Sequence, residues 1–80
     1  MRDPARIDEV LALLGRIWKS DPDLRFNQLV YNLQRQYSHE NGDVGAIQNE
    51  HGATGFDLFN TEDDVFLHHL QRVAEAKGSA

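Results

Sequence analysis

The chain has no cysteine among its 80 residues. Disulfides and thiolate metal sites are therefore excluded. Long apolar runs are missing too. The longest near-apolar stretch, residues 10–14, is far shorter than the roughly 20 residues that cross a bilayer. The first ten residues, MRDPARIDEV, have no apolar run after their charge, so they do not read as a secretory signal. These features together predict a soluble protein of the cytoplasm, without membrane association. Nor is there a glycine-rich phosphate loop, a nucleophile elbow or a cysteine-based zinc motif. Hydroxyl candidates are few besides the tyrosines: Ser20, Ser38, Ser79, Thr54 and Thr61. None has an evident base beside it in the sequence. The expectation is a protein that is not an enzyme and needs no cofactor.

What is present is one small domain's worth of chain, with a thin stability margin. The formal charge is −5. Residues 1–37 hold six basic and five acidic residues; residues 38–80 hold two and eight. The deficit therefore sits in the second half. That balance argues against duplex nucleic acid, whose phosphates reward faces rich in Lys and Arg. It suits a basic protein partner, or simply keeps the chain in solution.

Three stretches carry helical periodicity. Asp3 and Pro4 form a favoured start, and Ile7, Val10, Leu11, Leu14, Ile17 and Trp18 then fall on one stripe. Pro22 ends that segment, because it disfavours helical geometry at Asp21. Gly15 inside it costs up to about 1 kcal/mol relative to alanine. A close approach by another helix would compensate. The second stretch has Leu24, Phe26, Leu29, Val30, Leu33 and Tyr37 at helical spacing, with Asp23 or Arg25 at the cap. Arg25 and Gln28 flank its apolar stripe. Gln28 is placed to hydrogen-bond a backbone group at the break, so these two residues are read as pinning the turn. The third stretch opens on Thr61, Glu62, Asp63 and Asp64, close to a capping box, with anions where the helix dipole favours them. Phe66, Leu70 and Val73 follow as its stripe, with Leu67 and Ala74 beside it. Phe56, Leu58 and Phe59, just before, are expected to fold back onto the core.

The spacing thus predicts helices over 4–19, 25–37 and 62–76 in a single all-α domain, a small three-helix bundle. Residues 38–55, with four glycines, two histidines and three acids, read as a long polar loop, functional or mobile.

Chemistry-bearing candidates are sparse. His68 and His69 are adjacent, so on a helix they point about 100° apart and do not chelate one ion together. His39 and His51 lie near Glu40, Asp43 and Glu50, the one place for a His/carboxylate metal site. Their spacing matches no ligand pattern, and a solvated loop explains them. Trp18, Phe26 and Tyr37 are the residues for a base-stacking platform. Their helical spacing on apolar faces is better explained by packing in a core.

The segments RIDEVLALL (residues 6–14), Trp18, PDL (22–24), Gln28 with Leu29, Leu33, Asp57 with Leu58, Asp63 with Asp64, and His69 with Leu70 resemble the YihD family. These are small bacterial proteins whose function is not established. The element PDLRF-x-QL-x-x-NL, residues 22–33, is also similar to one in short bacterial and phage reading frames. The match covers the first and last thirds of the chain. It implies a compact helical domain and transfers no catalytic residue.

The leading functional expectation is a non-enzymatic acidic interaction module, an adaptor or inhibitor that binds a basic protein partner. Its contact set is Asp57, Glu62, Asp63 and Asp64, with Arg25 and Gln28. The alternative is a metal-dependent or hydrolytic activity on His39, His51 and the nearby acids. A weaker one is single-strand binding through Arg2, Arg6, Arg16, Lys19, Arg25 and Arg35. A homodimer is compatible with the first, since three short helices bury little.

Overall fold

The computed structural model describes residues 2–49 and 52–78, and the surroundings of side chains 2–47 and 55–77. The elements run α1 (Ala5–Lys19), α2 (Phe26–Glu40), β1 (Ala46–Asn49), β2 (Gly52–Phe56) and α3 (Asp63–Gly78). The chain is mostly helical, with three helices and one two-stranded antiparallel sheet. It forms two compact units: Met1–Leu24 with Glu62–Ala80, and Arg25–Thr61.

The first unit pairs α1 with α3. Asp3 starts α1 by accepting the Ala5 N–H on Oδ1 at 2.9 Å, and Pro4 stands at the cap position. Asp8 in the first turn and Arg16 and Lys19 in the last suit the helix dipole. After Lys19 the chain turns through hydrogen bonds from Asp21 N to Trp18 O and from Leu24 N to Asp21 O. The Trp18 indole N–H donates to Leu24 O at 2.7 Å and holds that turn against the helix end. Ile17, Leu70 and Ala74 are the buried apolar residues of this unit, and His69 is buried with them. Periodicity located the α1 stripe but not its coverage: Ile7 and Leu11 stay 50% and 61% exposed. Close approach by a helix does not explain Gly15, since a Cβ built there meets nothing within 4 Å.

The second unit is α2 and a hairpin. Arg25 is the extended residue before the first turn, and its N–H donates to Gln28 Oε1 at 2.9 Å. That bond satisfies a donor the helix start leaves open, and it is half of a capping box. Leu29, Leu33 and Tyr37, at steps of four, are buried.

The expected polar loop over 38–55 is corrected here. Helix α2 continues through Ser38, His39 and Glu40, because nothing in that stretch breaks it before Asn41 and Gly42. Ser38 is buried, and its carbonyl accepts the Asn41 and Asp43 N–H groups. Asn41 Nδ2 donates to Tyr37 O at 2.7 Å and completes the helix end. Three left-handed residues then turn the chain: Gly42 (φ 71), Asp43 (φ 63) and Gly45 (φ 76). Glycine adopts this region freely, and aspartate tolerates it. The chain is thereby aimed into β1. Ala46 faces Phe56 and Ile47 faces Gly55, then Gln48 faces Ala53 and Asn49 faces Gly52. The register shifts between Ile47 and Gln48, leaving Thr54 as the extra residue on β2. An isolated hairpin is marginal in water. This one packs β2 on α2, with the Tyr31 and Phe56 rings 5.4 Å apart. The fold is therefore not all-α. The strands escaped notice because each is four or five residues long, and glycine interrupts any alternation on β2.

Candidate functional site

The acids at the start of α3 carried the partner-binding expectation. The fold gives two of them internal partners within the first unit. Arg2 Nη2 lies 2.9 Å from Glu62 Oε2 and 3.2 Å from Oε1. Arg6 Nε donates to Asp63 Oδ2 at 2.6 Å, and Arg6 Nη1 donates to Asp3 O at 3.1 Å. The hydrogen bond from Arg6 holds the Asp63 carboxyl below the usual aspartate range, against an opposing desolvation; the charges of Arg6 and Arg2 add to the lowering. These pairs set the N-terminal ends of α1 and α3 side by side. Two positive dipole ends meet there, and Asp3, Asp8, Glu62, Asp63 and Asp64 supply the compensating negative charge. Asp64 accepts the Val65 N–H on Oδ1 at 2.9 Å. The Thr61 N–H bonds Leu58 O, and α3 begins at Asp63, two residues past Thr61.

Arg25 and Gln28 belong to the second unit, where Gln28 caps α2 as described. Asp57 lies in the same unit, directly after β2. Its N–H donates to Gly45 O at 2.7 Å, and its Oδ1 accepts the Phe59 N–H at 3.1 Å. Gly45 is required at this closure. A Cβ there would lie 2.5 Å from Asp57 O and 2.6 Å from Leu58 Cδ2. The Thr61 N–H to Leu58 O bond, 2.9 Å, closes the next turn. Phe59 stands at its tip, 91% exposed, and does not fold back onto a core as expected.

His39 is an exposed residue of the last turn of α2, not of a loop. With Arg35 and Gln36 it lines an open hollow of about 290 Å³. His51 and Glu50 lie outside the described residues. Among the described residues, no three His, Asp or Glu side chains gather as metal ligands. Of the three aromatics read as a base-stacking platform, Tyr37 is buried, Trp18 is half-buried with its indole N–H on Leu24 O, and Phe26 is half-exposed. His68 is exposed, whereas His69 is buried, its ring 5.5 Å from that of Phe66. Sequence reasoning weighed His69 only as a metal ligand and left it off the apolar stripe of α3. The signal was there: Phe66, His69, Leu70 and Val73 follow the spacing i, i+3, i+4, i+7.

No helix among the described residues is long and apolar enough to cross a membrane. No family model, no curated protein and no solved structure matches the chain.

Proposed function

We propose that this chain is a non-enzymatic interaction module, an adaptor or inhibitor of the bacterial or phage cytoplasm, that binds a protein partner bearing basic groups. The observation that carries the reading is the charge distribution: eight acidic and two basic residues over 38–80. Such an excess steers a cationic surface toward the chain and speeds encounter. The expected contact residues contribute unequally. Glu62 and Asp63 are already paired with Arg2 and Arg6, so a basic partner competes with these arginines for them. Among the described residues, the Asp57 and Asp64 carboxylates accept local main-chain N–H groups, those of Phe59 and Val65, and a partner's Lys or Arg can reach their remaining lone pairs. Arg25 and Gln28 are kept as contact residues on the sequence reading alone.

Kinship with the YihD family, packing of the three apolar stripes as one bundle, and a homodimer belong to the same proposal. They rest on the sequence reading. Elemental analysis of the purified protein separates the module from the metal-dependent alternative on His39 and His51.

The deciding experiment is a pull-down from bacterial lysate with the tagged chain at low and high salt. A protein retained at low salt and released at high salt is expected. Replacing Asp57 and Asp64 together by asparagine should weaken that retention. Absence of any retained protein at low salt removes the proposal's basis.

A further inference from the structure

Phe59 is an open apolar side chain on a hydrogen-bonded turn. It is the most open of the large apolar side chains that the described residues expose: 91%, against 61% for Leu11, the next. Its backbone is nonetheless tied on both sides. Upstream, the Asp57 N–H to Gly45 O bond locks the chain to the turn that enters the hairpin. At the residue itself, the Asp57 carboxylate accepts the Phe59 N–H. Downstream, Thr61 N–H closes on Leu58 O. The tip of this turn is a position where polar residues serve as well as any. A phenylalanine there adds nothing to the turn and finds no cover among the described residues.

A large aromatic on a braced turn has what an interface anchor needs. Little main-chain freedom remains to be lost on binding, and the ring offers a large apolar area to a pocket. Asp57, in the same unit, stands two residues before Phe59, and the second half of the chain is acidic, with eight acids against two bases over 38–80. Resting on the interaction reading above, we infer that Phe59 is the anchor of the contact and inserts into an apolar pocket rimmed by Lys or Arg on a protein partner. The phenyl ring fills the pocket and the Asp57 carboxylate meets the rim. Nucleic acid does not fit this surface, because the acidic second half of the chain repels its phosphates.

The test places a photo-crosslinking amino acid at position 59, and at Gln36 as an exposed control, in the full chain in bacterial lysate. The species crosslinked from position 59 is then purified, and its affinity is measured for the wild type, Phe59→Ala and Phe59→Leu. The inference expects a crosslink from position 59 that is absent from position 36. It expects the crosslinked peptide to come from an apolar pocket with Lys or Arg neighbours. Phe59→Ala should weaken binding roughly 30-fold, the level of an interface hot spot, with Phe59→Leu in between. Both variants should melt as the wild type does, since the ring is exposed. It is overturned by a crosslink to a second copy of the chain, by a crosslinked pocket without basic residues, or by a melting temperature that falls with Phe59→Ala. Retention of a salt-sensitive partner within twofold by Phe59→Ala overturns the anchor while leaving the interaction module standing. No retained protein at all overturns both.

Discussion

Replacing Gly15 by alanine should stabilise the protein. Gly15 lies in the body of α1, four residues from its last residue, and has no positive φ. A Cβ at this position meets nothing within 4 Å. No clash therefore offsets the gain. The gain itself comes from the unfolded chain, which loses backbone freedom when glycine is replaced, and amounts to about 0.8–1 kcal/mol in a helix interior. For a domain of 60–100 residues a change of 1 kcal/mol moves the melting temperature by about 4–8 °C. Ala12 on the same helix is exposed and supplies the calibration. Ala12→Gly should cost what Gly15→Ala adds. The assay is urea unfolding followed by far-ultraviolet circular dichroism, with thermal melts alongside. With a urea slope of about 1–3 kcal/mol per molar, the midpoint of Gly15→Ala should rise by roughly 0.3–1 M at unchanged slope. An unchanged or lowered midpoint, with Ala12→Gly behaving normally, would refute the reasoning. It would mean that the missing side chain at Gly15 makes room for something.

Gly45→Ala should do the reverse. It forces alanine into a left-handed backbone, costing about 1–2 kcal/mol, and drives a methyl into the Asp57 carbonyl, costing about 1–3 kcal/mol more. A melt within 2 °C of the wild type would contradict the closure of the hairpin on Asp57. Arg6→Gln should raise the pKa of Asp63 toward the ordinary aspartate value, read by carbon-13 titration of its carboxyl. Since the folded pKa is depressed, the pair stabilises the protein above the unfolded value, and that share is lost as pH falls through the folded one. The stability gap between wild type and Arg6→Gln should therefore be largest near neutrality and shrink below about pH 4. An Asp63 midpoint that does not move would show that Arg6 is not its partner.

The helices were legible because their signals are local. Apolar steps of three and four, the Asp3–Pro4 start and the Pro22 stop all act within one or two turns. The Gln28 hydrogen bond to the break was legible for the same reason, since it spans three residues. The connector was not. Its strands are paired with one another, and Gly52 and Gly55 erase the alternation that would mark a strand. The three left-handed residues that begin the hairpin look, in sequence, like any Gly- and Asp-rich loop. At the α3 start the acids were legible as dipole complements, but their arginines were not. Arg2 and Glu62 are 60 residues apart, Arg6 and Asp63 are 57 apart, and no local rule links them.

The sequence by itself determined where helices form, where they begin, and which half of the chain is acidic, because propensity, capping and charge are properties of neighbouring residues. Tertiary structure decided which stripe residues are covered, which acids are paired, and that Phe59 faces water. Burial and long-range pairing depend on what arrives from elsewhere in the chain, and periodicity records only the direction a side chain points.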